Sequence, residues 1–356
     1  MKILWIVHGD VPLSDGDPRL LKSSPLAGYR LRVGIPASCM PATDEQFLIS
    51  PASPDAAGRA AAMAPDVCVF SKVLPSAPDA GAAPLAMALA HSLSRNKVPL
   101  AVDIADNYFE DFRRDDTLAL LRLSTATLVN TPAMADVVHD LTQRQAEVIG
   151  DPVEGERRPP GFDPPRQPWL ARMLRRAPER PIRLLWFGGQ WRNYQSMREI
   201  YPHLAIPGRT VEVCVMTSPL AEIEQDVADH HRRLAPAVAL KFLPWSLAAL
   251  PGALADCDMV LIPNDVTHPK RIGASANRLT ESLWAGRFVV ASGVPSYWEF
   301  KDSAWIGADL PAGIRWALAH PRQVRARIAA GQARIERHYV PGEIGHKWRE
   351  FLKRLL

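Results

Sequence analysis

The stretch that most constrains this chain is residues 258–292, DMVLIPNDVTHPKRIGASANRLTESLWAGRFVVAS. A short apolar run, Met259 to Ile262, is closed by Pro263; a second, Phe288 to Ala291, comes after a basic loop, a helix-like segment from Asn277 to Trp284 and a stop at Ala285-Gly286. Apolar runs without alternation suit strands covered on both faces. Two of them joined through a helix run parallel, so the segment reads as a βαβ unit inside a layered α/β protein. The intervening loop sets Lys270, Arg271, Gly273 and Ser275 just ahead of a helix N-terminus. Free backbone N–H groups and the helix dipole favour an anion there. Asn277, Arg278 and Glu281 follow at helical spacing, so that 277 and 281, or 278 and 281, share a face. A phosphate-bearing ligand is expected at this loop.

The same alternation runs through the whole chain. In the N-terminal half, apolar runs at 3–7, 31–35, 67–70, 98–102, 127–129 and 147–149 alternate with helical segments at 19–27, 54–62, 84–94, 117–124 and 132–141. A second series opens at 182–187 and continues with runs at 211–216 and 238–242, separated by helices at 196–204, 221–234 and 247–255. At 356 residues the chain has room for two domains, each with its own core. The expected architecture is α/β, two tandem Rossmann-like domains with strand ends facing a shared cleft. Its divisions are an N-terminal domain at 1–155, a proline- and arginine-rich linker at 156–180 with one short helix near 169–176, and a C-terminal domain at 181–340. An amphipathic basic helix at 341–356 (HKWREFLKRLL at its end) is expected to pack back on the N-terminal domain.

Composition excludes several classes. Hydrophobic content of 47% and charge of 22% describe an ordinary globular protein, and a net charge of +4 is too mild to argue for nucleic acid. Cys39, Cys68, Cys214 and Cys257 lack metal-ligand spacing and read as buried free thiols of a reducing compartment. No apolar run approaches the roughly 20 residues of a membrane helix, and the first apolar run is too short for a signal peptide. A cytoplasmic protein is expected, with at most weak peripheral contact at the inner face of the membrane through its basic segments.

In doubly wound sheets, ligands bind at the carboxyl ends of the strands. After the first run stand His8, Asp15, Asp17 and Arg19; after the run at 98–102 come Asp103, Asp106, Asn107 and Tyr108. Asp103 reads as a cap or turn residue. Asp106 is the candidate for contact with the reacting group, with Asp15 and Asp17 behind it, and His8 fits either a site or a cap on the sheet edge. In the C-terminal half, Gly188-Gly189 directly follows a strand, where a glycine pair lets backbone approach a ligand, though tight turns use it too. Arg192 and its neighbours supply polar and aromatic groups at the same edge. Leu243-Pro244-Trp245 ends another strand, and Trp245 suits either core packing or stacking against a nucleobase.

With WFGG opening the second half, ALADCDMVLIPN and NRLTESLWAGRFVVAS later, and EVIGDPVE at the join, the sequence resembles the GT-B glycosyltransferases, in particular the large family-4-type group that uses nucleotide sugars. The resemblance covers most of the chain and is most specific at 258–292. It implies that Glu281 contacts the ribose of the nucleotide and that Lys270 or Arg271, with Arg278, contacts the diphosphate. Leu243 to Trp245 then lie at the base, and Gly188 and Gly189 are the glycines of the first strand end; Ser275, Asn277 and Arg192 fall within the same donor region. His8, Arg19, Asn107 and Tyr108 fall on the acceptor side. One departure stands out: many retaining members carry a glutamate eight residues before the ribose-binding one, and that position is Gly273.

The implied activity is transfer of a sugar from a nucleotide sugar to a hydroxyl of a carbohydrate, lipid-linked or protein acceptor in glycan assembly, with no cofactor and no metal. If the reaction inverts, a carboxylate must take the acceptor's proton, and Asp106 is the first candidate. A nucleotide-sugar epimerase of the same architecture and a non-catalytic nucleotide-sugar-binding module remain as rivals. No G-x-G-x-x-G fingerprint follows either opening strand, which argues against a dinucleotide oxidoreductase.

Overall fold

The computed structural model describes residues 1–9, 16–75, 81–163, 180–189 and 191–356, except the side chains of Ala82, Trp191 and Arg192. The described residues form two compact units. The first joins Met1–Pro152, His268–Ser275 and Arg337–Leu356; the second joins Val153–Thr267 and Ala276–Glu336. Each is built on one six-stranded sheet in which all paired strands run parallel.

The first sheet contains β1 (Lys2–Ile6), β2 (Glu45–Ile49), β3 (Val67–Ser71), β4 (Leu100–Ile104), β5 (Ala126–Val129) and β6 (Ala146–Val148), in the order β2-β1-β3-β4-β5-β6. Side chains alternate across a strand, so β1 feeds two cores. Leu4 and Ile6 pack with Phe70, Leu89, Leu120 and Val138 on one face; Ile3, Trp5 and Val7 pack on the other. That second core is closed by the helix Pro341–Lys353, whose Ile344, Trp348, Phe351 and Leu352 fall on one stripe and are buried. The Trp348 ring lies 5.3 Å from that of Trp5, and truncating such a tryptophan costs about 3–5 kcal/mol. A Cβ on Gly345 would stand 2.4 Å from the Cβ of Cys39, so glycine is what lets this helix come so close. The expected return of the C-terminal helix to the N-terminal domain is therefore observed.

Two expectations for this unit fail. Residues 31–35, read as a strand, are helical: a π-helical turn, Arg30–Gly34, runs into Ile35–Ser38. Buried Tyr29, Val33 and Ala37 recur every four residues, a helical period hidden by the apolar run that overlaps it. The strand is instead Glu45–Ile49, an edge strand with polar residues at its start. Asp103 is neither cap nor turn. It lies in β4 and receives the buried Arg32 guanidinium at 2.6 Å and the Ser71 hydroxyl at 2.7 Å, while Arg32 also reaches Asp151 at 3.1 Å. Removing one partner of such a buried pair would strand a charge, a loss of about 3–5 kcal/mol, so this network is structural.

The second sheet contains β7 (Ile182–Phe187), β8 (Val211–Thr217), β9 (Val238–Pro244), β10 (Met259–Ile262), β11 (Phe288–Ala291) and a short β12 (Trp305–Ile306) that the sequence did not suggest. Their order is β12-β11-β10-β7-β8-β9. Residues 156–163, expected as linker, pack on this unit. Arg158 N–H donates to Trp284 O at 3.0 Å, Gly161 N–H to Gly286 O at 2.9 Å, and buried Phe162 faces Phe288 at 6.5 Å. The helix expected near 169–176 lies outside the described residues. Cys68 and Cys257 are buried while Cys39 and Cys214 are half-buried, all four as free thiols. Among the described residues no helix is long and apolar enough to cross a membrane.

Sheet order fixes where ligands go. Consecutive strands leave in opposite directions from β1 and β3 in the first sheet and from β7 and β10 in the second. Such reversals open a crevice at the carboxyl ends of the strands.

Candidate functional site

In the second unit, the reversal point is occupied by an arginine. Arg278 follows Asn277 at the start of the helix Asn277–Trp284. Its Nη1 donates to the carbonyl of Phe187, the last residue of β7, at 3.3 Å. Its Nη2 donates to Asn264 Oδ1, just past β10, at 3.2 Å. The guanidinium thus spans the two strand ends. Both acceptors are neutral, and among the described residues no carboxylate pairs with it. Asn264 is oriented in turn by Ser292, whose hydroxyl accepts its N–H at 3.0 Å.

Gly188-Gly189 lies directly beside this cation. A Cβ on Gly188 would come within 3.1 Å of Arg278 Nη1, while one on Gly189 would meet nothing within 4 Å. The first glycine thus permits the close approach of the guanidinium, and no described atom would crowd a side chain at the second. Three residues along the helix from Arg278, Glu281 is almost wholly buried; its carboxylate accepts the backbone N–H groups of Glu154 and, at 3.2 Å, Gly155. Trp284 Nε1 returns a bond to Gly155 O at 3.0 Å, which fixes this turn to the helix. The Asn277 side chain accepts the N–H of Arg278 at 2.7 Å. At the same end of the sheet, two strands beyond β7, β9 closes with Leu243 and Pro244, and half-buried Trp245 donates its N–H to Thr217 O at 2.8 Å. Trp191 begins a helix with Arg192 behind it, but the Arg192 side chain lies outside the described residues.

The basic loop is placed differently from expectation. His268–Ser275, with Lys270, Arg271 and Ser275, groups with the first unit. The Lys270 ammonium pairs with Asp111 at 2.8 Å, and Asn107 donates to the carbonyl of Pro269 at 3.3 Å. A Cβ on Gly273 would lie 2.5 Å from Met134 Sδ and 3.1 Å from the backbone nitrogen of Asn107. Gly273 is thus packed closely within the first unit. Asp111 also holds Arg113 at 2.5 Å. Burial alone would raise its carboxyl, but Arg113 and Lys270 keep it well below the usual carboxylate range.

The reversal point of the first sheet carries a second cation, Lys72, directly after β3. No local pattern marks it, because the strand order that brings β3 beside β1 is not written in the sequence. Lys72 has a positive φ of 50°, and its carbonyl accepts the N–H of His8, past the end of β1, at 3.1 Å. The Lys72 ammonium pairs with the Asp106 carboxylate, to which the Tyr108 hydroxyl also donates at 3.4 Å. The Arg113 guanidinium lies 4.2 Å from the centre of the Tyr108 ring. Desolvation works against ionisation of Asp106, but Lys72 outweighs it and holds the carboxyl below its ordinary value. Asp106 is nonetheless 61% exposed at its side chain, unlike the lysine that holds it.

Of the remaining acceptor-side candidates, His8 is buried and its carbonyl accepts the Tyr29 hydroxyl at 2.8 Å. Asp17 caps the 3-10 helix Pro18–Ser23, accepting Arg19 N–H at 2.9 Å and pairing with its guanidinium at 3.3 Å. A capping carboxylate is accounted for by that role. Asp15 lies outside the described residues.

Two doubly wound parallel sheets in tandem define the GT-B fold, and solved structures share it over the whole chain. HepE from Anabaena, solved with UDP, is similar with a TM-score of 0.66 at 15% identity, over 99% of this chain and 100% of that one. AviGT4, a glycosyltransferase involved in avilamycin A biosynthesis, is similar with a TM-score of 0.56 at 16% identity, over 100% and 98%. The UDP-GlcNAc 2-epimerase of Neisseria meningitidis, bound to UDP-GlcNAc, reaches 0.53 at 9% identity, over 99% and 100%. At such identities the likeness is one of fold. No family model and no curated protein sequence matches the chain.

Proposed function

We propose that this protein is a glycosyltransferase that moves a sugar from a nucleotide sugar to a hydroxyl group of a carbohydrate acceptor. One observation carries the reading: on a GT-B fold, the second sheet holds at its reversal point an arginine that, among the described residues, bonds only to neutral oxygens, beside a glycine pair. A cation that no described carboxylate pairs with, next to a glycine pair, suits a diphosphate. In this reading Arg278 and the Gly188-Gly189 backbone hold the diphosphate, Glu281 the ribose, and Leu243 to Trp245 the base. The diphosphate cation is Arg278 rather than Lys270, which Asp111 engages.

The chemistry follows from charge. The acceptor oxygen bonds to the anomeric carbon while its proton passes to the Asp106 carboxylate. The bond from the anomeric carbon to the diphosphate oxygen breaks, and its electron pair leaves with the nucleoside diphosphate, whose added charge Arg278 stabilises as it develops. A base on the acceptor side implies inversion, in keeping with Gly273 where many retaining enzymes carry a carboxylate.

The likeness to an epimerase keeps a second reading in view, which one experiment separates. Purified protein is incubated with UDP sugars, with and without carbohydrate acceptors, and the products are followed by NMR. Transfer gives one glycoside of inverted configuration per UDP released, and only with acceptor present. Epimer formed from the donor alone would replace the transferase reading, and binding without any turnover would make the protein a binding module.

A further inference from the structure

Lys72 is built into the first unit in a way that an ordinary surface ion pair is not. It is a non-glycine residue with φ of 50°, a region L side chains seldom enter without reason. Its alkyl chain runs past Gly28, where an added Cβ would lie 2.5 Å from Lys72 Cε. Its backbone carbonyl is tied to His8 across the reversal between β1 and β3. A strained backbone, a missing side chain at position 28 and a strand-end hydrogen bond thus converge on one ammonium. That ammonium is aimed at Asp106.

The same unit holds another ion pair, between Arg32 and Asp103. There both partners are buried, and the pair is part of the interior. At Lys72 and Asp106 only the cation is enclosed, 18% exposed at its side chain against 61% for the carboxylate. An interior pair needs no open carboxylate, whereas a group that meets a substrate does.

We propose that Lys72 is the positioning residue for Asp106: it holds the open carboxylate in one orientation at the reversal point of the first sheet, where an acceptor hydroxyl is to be deprotonated. The inference rests on the transferase reading above and deepens it. Among the described residues, the charged and titratable groups that face Asp106 are Lys72 from the end of β3, with Tyr108 and Arg113 from the segment after β4. Tyr108 donates to the same carboxylate oxygen as Lys72, so the two donors together restrict its rotation. Pairing lowers the basicity of the carboxylate. The arrangement still works, because the hydroxyl loses its proton only as its oxygen bonds to the anomeric carbon, when it has become far more acidic.

The test reads Asp106 directly. Carboxyl-carbon NMR titrations follow Asp106, assigned by the signal lost in Asp106→Asn, in the full-length protein and in Lys72→Met, Lys72→Arg and Gly28→Ala. In Lys72→Met the carboxyl should titrate about one to three pH units higher. Lys72→Arg should restore most of the difference, and Gly28→Ala, which crowds the lysine stem, should fall between. UDP release from UDP-glucose, with water as the acceptor, should show its acid limb moving in the same direction. An Asp106 titration that stays at the wild-type position in Lys72→Met overturns the proposal; should that variant fail to fold, an unmoved titration in Gly28→Ala does so. Failure of the transferase reading looks different: Asp106→Asn would then turn over at the wild-type rate, whatever the titrations show.

Discussion

The two sheets carry equivalent cations in opposite electrostatic states. Arg278 and Lys72 each stand where strand order reverses, next to the opening strand of their unit. Arg278 donates to a carbonyl and an amide oxygen, neither of which cancels its charge. On the first unit Lys72 faces Asp106, while Arg113 and Lys270 share Asp111. Opposite charges 4 Å apart attract by about 4 kcal/mol near a protein surface, so a cation already paired has little left for an anionic ligand. The proposed reaction uses this difference: the second unit holds the phosphate, and the first an uncharged group whose proton a carboxylate takes.

The comparison breaks most visibly at Asp106. Asp106→Asn keeps the shape but removes the acceptor of the proton, and transfer should fall by about 10²–10⁴-fold while UDP affinity is unchanged. Equal losses of rate and UDP affinity would show that the two edges are not divided as described. A smaller effect is expected at Glu281. Glu281→Ala should weaken UDP binding several-fold in calorimetry and also lower stability by about 1–3 kcal/mol, because the N–H groups of Glu154 and Gly155 lose their acceptor. Wild-type melting together with wild-type affinity would remove Glu281 from the account.

The smallest effect concerns acid. Asp111 titrates below its ordinary value in the folded protein, so the stability it contributes is complete above the unfolded carboxylate range, near pH ~4, and is lost as pH falls further. Hydrogen exchange at His268–Ser275, corrected for intrinsic rates, should hold constant down to that range and rise only below it. Loss of protection already near neutral pH would mean that the Lys270–Asp111 pair does not hold the segment.

Much of this was legible in the sequence because buried parallel strands write themselves as apolar runs. The runs at 3–7, 182–187, 259–262 and 288–291 became strands within a residue or so. Where an edge strand began with Glu45 and Gln46 the signal vanished, and the apolar stretch at 31–35 drew the reading away from a helix whose buried face recurs every four residues. At the candidate site, the glycine pair and the proximity of Arg278 to Glu281 were visible as local spacing. Three features were not, because each depends on residues far apart in sequence: Lys72 meeting Asp106, Lys270 meeting Asp111, and Gly273 packing on Met134. Local pattern finds the ends of strands, while only strand order says which ends are neighbours.

In the proposed reaction the cation that no described carboxylate pairs with, Arg278, rather than the paired Lys270, holds the diphosphate. Calorimetric titration of UDP into the wild-type protein, Arg278→Ala and Lys270→Ala tests it most directly. Loss of charge-assisted hydrogen bonds worth about 1.5–3 kcal/mol should weaken UDP binding by roughly 10- to 150-fold in Arg278→Ala, and Lys270→Ala should stay within a few-fold of wild type. Wild-type affinity in Arg278→Ala, with the large loss in Lys270→Ala instead, would contradict the account.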